Sequence, residues 1–200
     1  MNLRTTLPAL IAVLVLIGGC STQATEPPGL TATPAISAPT PAPSPTADPD
    51  GILEESDPEL GIVFDDAPAL TGVEADVYDT VALFEKAYWL TMTTNEVHPS
   101  FDVLASPELK EGMGRVAAKN VAINAEIGGT YRVRISQVTI TGDGEAEVVS
   151  CSDYREATFS DQDGPDTPEE AGLGVPELSK YTLRNVGTWQ VTTGEVIGTC

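Results

Sequence analysis

Gly128-Gly129-Thr130-Tyr131-Arg132-Val133-Arg134-Ile135-Ser136-Gln137-Val138-Thr139-Ile140-Thr141-Gly142-Asp143-Gly144 decides the fold. Tyr131, Val133 and Ile135 alternate with Arg132, Arg134 and Ser136, the period of a strand with one buried face. Val138 and Ile140 continue the alternation in the opposite phase. One extra residue near Ser136-Gln137, a β-bulge, puts both runs on one face and bends the strand. Thr141-Gly142-Asp143-Gly144 has hairpin-turn chemistry, so the next strand, through Ala146, Val148 and Val149 to Cys151, returns antiparallel.

Upstream the period changes from two to 3.6. Val77, Val81, Phe84, Tyr88 and Met92 recur at helical spacing and predict a long amphipathic helix over about 73–93. Thr71-Gly72-Val73-Glu74 has the spacing of a capping box at its start. Asn95 to Pro99 breaks the helix, and Ser100 to Ala105 has room for a short helical turn. Ser106-Pro107-Glu108 opens a further helix with a cap residue, a first-turn proline and an acid at the positive dipole end. That helix is expected to reach about Glu126, with Leu109, Met113, Val116, Val121 and Ile123 as its apolar side and Gly128-Gly129 as its stop.

Downstream, a further strand is expected about Tyr154–Phe159, followed by an acidic Gly/Pro-rich loop from Asp161 to Pro176. Leu178–Val186 and Thr188–Thr193 then form a last hairpin through Asn185-Val186-Gly187. Helices followed by a bent antiparallel sheet make the fold class α+β.

The N-terminus reads differently. Met1-Asn2-Leu3-Arg4 is followed by an uncharged, mostly apolar run from Leu7 to Gly19, too short for a spanning helix, which needs roughly 20 apolar residues, and suited to a signal peptide. Ile17-Gly18-Gly19-Cys20 resembles the bacterial lipobox, in which a peptidase cuts before a cysteine that carries a diacylglycerol. An ordinary secretory cleavage near Gly19 is the alternative. The expected division is a leader over 1–19, a lipidated Cys20 and disordered tether over 20–70, and a folded domain over 71–200. Ten of the 16 prolines lie between Pro27 and Pro68, among Thr, Ala and Ser, a composition that builds no core. Within the tether, Leu60-Gly61-Ile62-Val63-Phe64 is a short apolar island with two outcomes, docking on the domain as an extra strand or staying apart.

The formal charge is −20, and Arg4 is the only charge before Cys20, so the chain from Cys20 onward carries −21. The absence of any basic run argues against nucleic acid, whose binding rests on Lys and Arg at phosphates. The expected partners are the membrane, through the lipid, and an envelope protein. With Cys20 assigned to the anchor, Cys151 and Cys200 are expected to pair in an exported chain, free thiols or a metal pair being the alternative.

The long first helix, Gly128-Gly129 before a bent strand pair, and Gly187-Thr188-Trp189-Gln190-Val191 on a terminal strand resemble the nuclear transport factor 2-like superfamily, in particular small actinobacterial lipoproteins. The resemblance covers about residues 73–200. It implies a cone of N-terminal helices packed on a curved antiparallel sheet, and in those lipoproteins a terminal Cys that pairs with a strand Cys. It carries over no activity; superfamily members isomerise or dehydrate small substrates, scaffold secretion machinery, or bind.

No catalytic residue stands in a recognisable motif. His98, before Pro99, reads as a loop residue. Ketosteroid-isomerase-like members need a base Asp and a buried Tyr-plus-acid pair; Asp76, Asp102, Tyr78 and Tyr88 are of those types. Tyr78, Tyr88, Trp89 and Trp189 are the candidate pocket residues: the tyrosines as helix residues packing a ring, Trp89 at the stripe margin or a pocket mouth, Trp189 as core or a lid. The acidic loop from Asp161 departs from the EF-hand pattern at Pro165, Asp166 and Gly172, so a solvated loop is expected, with no metal and no cofactor. The first expectation is a non-enzymatic, membrane-anchored binding or interaction module at the cell envelope. The alternatives are a small-molecule enzyme or ligand binder using the cone pocket, and a purely structural envelope protein. Convergent ionisable groups in a sizeable cavity would favour the enzyme; a filled interior would favour the interaction module.

Overall fold

The computed structural model describes residues 54–200; the expected leader, Cys20 and the tether up to residue 53 lie outside the described residues. Among the described residues the element order is β1 (Ile62–Phe64), α1 (Val73–Thr94), α2 (Phe101–Leu104), α3 (Pro107–Ala122), β2 (Glu126–Gly142), β3 (Glu145–Asp161), β4 (Gly164–Asp166), β5 (Glu177–Asn185) and β6 (Trp189–Thr199). The strands form one sheet in the order β1-β2-β3-β5-β6, with β4 folded back on the end of β3. The helices pack on its inner face, so the α+β reading holds.

The register of β2 shifts between Ile135 and Gln137, where the phase change predicted a bulge, and also near Thr130 and Ile140. Each shift adds local twist, which bends the long β2–β3 ribbon around the helices. Asp143-Gly144 makes the hairpin turn, Gly144 at φ 75°. The strand expected at 154–159 is not separate: β3 is continuous from Glu145 to Asp161, because inward Ala146, Val148, Ser150, Ser152 and Tyr154 hold one phase without a break. Likewise β6 runs on to Thr199, well past Thr193.

Helix α1 has the predicted extent but not the predicted cap. Gly72, at φ 61°, is the N-cap and no side chain caps it; the first turn has Glu74 and Asp76 near its positive end instead. Asn95 ends α1 in the left-handed conformation and its Nδ2 donates to Ala125 O at 2.7 Å. Ser106 caps α3 as expected, its Oγ accepting from Leu109 N at 3.4 Å, while Ser106 N donates to Val191 O at 2.9 Å and ties the helix to β6. Helix α3 stops at Ala122, short of Glu126, with Asn124 turning at φ 53°. Gly128-Gly129 therefore lie inside β2, not at a helix end. At Gly129 (φ 76°) a Cβ would meet Glu156 O at 2.6 Å, so the glycine is required by the approach of β3. Of the expected apolar side of α3, Leu109 and Met113 pack on the core, but Val116 and Val121 face outward.

The apolar island docks. Ile62–Phe64 pairs in parallel with Tyr131–Val133, Tyr131 N donates to Gly61 O at 2.9 Å, and Ile62 is fully buried. Arg132 grips Asp65 with two bonds, at 2.6 and 3.0 Å. The folded part thus begins before Thr71, the expected boundary. At the other end Cys151 and Cys200 form a disulfide with Cα atoms 6.1 Å apart, closing 49 residues of chain.

Candidate functional site

Along α1, Tyr78, Val81, Glu85, Tyr88 and Met92 follow one another at spacings of three and four, so they form one row facing the sheet. Opposite, inward positions place Tyr131 on β2, Ser152 and Tyr154 on β3, and Ser179 and Tyr181 on β5. Glu85 is the charged member of this interior and is 1% exposed. Its Oε2 accepts from the Tyr131 hydroxyl at 2.7 Å and its Oε1 from the Tyr181 hydroxyl at 2.8 Å. Tyr131 Oη is also 2.9 Å from Ser152 Oγ. Tyr154 donates to the Tyr88 hydroxyl at 3.2 Å. The rings reinforce the arrangement: Tyr131 and Tyr154 stack at 4.7 Å, and Phe84 meets Tyr181 edge-on at 5.5 Å.

Four phenols and one carboxyl thus converge where the resemblance implies a cone interior. Beside them is a half-open cavity of about 230 Å³, lined by Phe84, Glu85, Tyr88, Leu109, Met113, Ser152, Tyr154, Glu177, Ser179, Tyr181 and the Gly194–Val196 segment. Burial raises the Glu85 carboxyl above its ordinary range, while the hydrogen bonds from Tyr131 and Tyr181 oppose the rise. Burial likewise pushes Tyr88 up to about 12 and holds Tyr131, Tyr154 and Tyr181 well above the ordinary phenol value. At neutral pH the phenols are therefore neutral hydrogen-bonding groups rather than bases, and Glu85 is the member of the cluster that can carry a charge.

The sequence-predicted pocket residues separate. Tyr88 lines the cavity. Tyr78 is buried elsewhere along α1, with a hydroxyl that has no partner among the described residues; burial first, then Asp79 and Glu54, raises its pKa. Trp89 is at neither a stripe margin nor a pocket mouth. It is fully buried against Tyr131, ring centroids 5.2 Å apart, and its Nε1 donates to Leu60 O at 2.9 Å, anchoring the approach to β1. Trp189 is core at the start of β6. His98 Nδ1 accepts from Ser100 N at 3.3 Å, a local turn contact, and Asp102 pairs with Lys110. Asp161 Oδ1 accepts from Asp163 N at 2.8 Å within the acidic turn, and no group of three or more potential ligands gathers for a metal among the described residues.

Glu85, Tyr131, Tyr154 and Tyr181 escaped the sequence reading. A usable sign was present: Glu85 is four residues after Val81 and three before Tyr88, an acid on the apolar stripe of α1. A second cleft, of about 380 Å³, lies on the outer face around the disulfide, with Asp65, Arg132, Arg134, Asp153 and Arg155 in its lining. There Arg132 pairs with Asp65 and Arg155 with Asp153.

No protein-family model matches the chain, and no curated protein matches it. Among solved structures it is similar to the intermembrane-space region of the chloroplast protein ARC6, at 15% identity and a TM-score of 0.47 over 64% of this chain and 99% of that one. It is also similar to a ketosteroid isomerase-like protein from Erwinia carotovora atroseptica, at 14% identity and a TM-score of 0.38 over 62% and 96% of the two chains. A third similarity is to a TrwG component of a type IV secretion system protein from Bartonella birtlesii, at 15% identity and a TM-score of 0.29 over 57% and 91%.

Proposed function

We propose that this chain is an exported, lipid-anchored protein of the cell envelope whose folded domain is a non-enzymatic binding module, taking a small ligand into the cavity between α1, α3 and the sheet. The observation that carries the binding reading is the cavity itself. It is walled on one side by Phe84, Leu109 and Met113 and on the other by hydroxyls, the pattern of an apolar site with a few orienting polar groups. Tyr88 receives a hydrogen bond from Tyr154, which leaves its own hydroxyl hydrogen to serve a ligand acceptor. The volume is below the roughly 300–1,000 Å³ of drug-sized sites, so the ligand is of fragment size.

The anchor rests on the sequence: the leader pattern, Ile17-Gly18-Gly19-Cys20, and a proline-rich spacer suited to holding the domain away from a membrane bilayer. The Cys151–Cys200 bridge supports an oxidising compartment. An envelope protein at the domain surface remains the proposed macromolecular partner.

A second reading, a small-molecule enzyme, has one observation in its favour: an acid and phenols converge at the cavity. The geometry favours binding over catalysis, because both Glu85 oxygens are already engaged by Tyr131 and Tyr181 and the phenols are held neutral.

The test is ligand-observed NMR on the full chain with fragment-sized branched and aromatic alcohols. Binding is expected to the natural sequence and is expected to vanish in Met113→Trp, which fills the cavity, with far-UV circular dichroism unchanged. Probes that bind neither protein, or both equally, would overturn the pocket reading.

A further inference from the structure

We propose that the cavity selects a small organic monocation, an ammonium group on a short apolar body, and that Glu85 is the counter-charge it meets. This rests on the pocket reading above and adds the sign of the ligand.

The argument starts from Glu85. A carboxyl this deeply buried is ordinarily matched by Lys, Arg or His, because an isolated buried charge is costly. Among the described residues Glu85 takes part in no ion pair. Its two partners are neutral phenols, which hydrogen-bond the carboxylate without cancelling its charge. The neighbouring Lys86 pairs with Glu54, away from the cavity. No Lys, Arg or His lines the cavity, yet two further acids, Glu177 and Glu195, do, Glu195 being paired with Lys180 outside the lining. The register sets Glu177 opposite inward-facing Ser152 and so aims it into the same space.

The walls agree with that sign. Phe84, Tyr88, Tyr154 and Tyr181 surround the space with aromatic rings. Ring faces attract cations, by about 0.5–2 kcal/mol depending on desolvation. An anion would meet three lining carboxyls and no lining base. A neutral ligand would gain apolar contact but leave Glu85 without a counter-charge.

Choline and its uncharged isostere 3,3-dimethylbutan-1-ol separate these outcomes, with 3,3-dimethylbutanoate as the anionic control. Isothermal titration of the full chain is expected to show choline binding at least tenfold tighter than the alcohol and the anion not binding. Glu177→Gln, a change at a half-exposed position that leaves the core intact, is expected to reduce the preference for choline several-fold. Equal affinity for choline and the alcohol would overturn the charge selection and leave the pocket reading standing. Binding by none of the three would overturn both. A preference unchanged by Glu177→Gln and by Glu85→Gln would place the cation elsewhere on this acidic protein and sink the inference.

Discussion

Replacing Glu85 by Gln should change how stability depends on pH more than it changes stability itself. The amide keeps the size of the side chain and an acceptor for one phenol, so Tyr131 and Tyr181 stay close to satisfied. What disappears is the proton. Burial raises the Glu85 pKa in the folded state above its ordinary value of 4.5, so the folded chain holds a proton more tightly than the unfolded chain. An acid shifted upward contributes stability that is fully present below about pH 4.5 and is lost as pH rises through the folded pKa. Each unit of upward shift is worth about 1.4 kcal/mol. Relative to the natural protein, Glu85→Gln should therefore become more stable with rising pH. The gain approaches about 1.4 kcal/mol per pH unit within the window and then levels off. Urea unfolding of both proteins at half-unit steps from pH 4.5 to 8, with matched m-values, measures the difference while the other acids cancel. Glu85→Ala is the companion variant: Tyr131 keeps Ser152 Oγ while the Tyr181 hydroxyl is left without its partner, so a loss of about 1–3 kcal/mol is expected at about pH 4.5, shrinking as pH rises because the same proton is gone. A Gln-minus-natural difference that stays flat across the range would refute the description of Glu85 as a desolvated acid.

Three further expectations follow from the same structure. Reducing the Cys151–Cys200 bridge, or Cys151→Ser with Cys200→Ser, opens a loop of 49 residues and should cost about 4 kcal/mol in the chain-entropy account, read by urea unfolding with and without dithiothreitol. Gly61→Ala puts a Cβ against Gly129 O at a φ of 79°; left-handed strain of about 1–2 kcal/mol plus the collision should free β1 and speed hydrogen exchange at the Tyr131 amide at least tenfold, with little change at β5. Cys20→Ala should remove the diacylglycerol from the intact mass and release the protein into the medium; retention of a membrane-bound, lipid-bearing chain would contradict the proposed anchor.

What could be read from the sequence was what local rules decide. The α1 stripe, the Ser106 cap, the Asp143-Gly144 turn and the phase change at Ser136-Gln137 each follow from spacing or turn chemistry within a few residues. Gly128-Gly129 did not, because a glycine pair serves equally as a helix stop or a close approach between strands; only the position of β3 decides. The cap at Gly72 was missed because Thr71 has the right type but the chain turns one residue later. The candidate site was the least legible part. Glu85 is 46 residues from Tyr131 and 96 from Tyr181, so its partners are set by the register of the sheet rather than by sequence neighbours. Read locally it is one acid among 30. Read on the helix wheel it interrupts an apolar face, and that interruption is the part of the site that pattern reading could have recovered.

The parallel seating of Ile62–Phe64 on β2 has a mechanical consequence. A pull applied at Glu54 meets first its contacts with Asp79 and Lys86 on α1 and then β1, which is held by three residue pairs, the Arg132–Asp65 fork and the Trp89 indole bond to Leu60. The opposite terminus cannot pay out in the same way, since Cys200 is stitched to Cys151 and the chain between them forms a closed covalent ring. Under tension the molecule would shed its first strand as a slack-giving link, while β3, β5 and β6 keep their shape around the tyrosine-lined cavity.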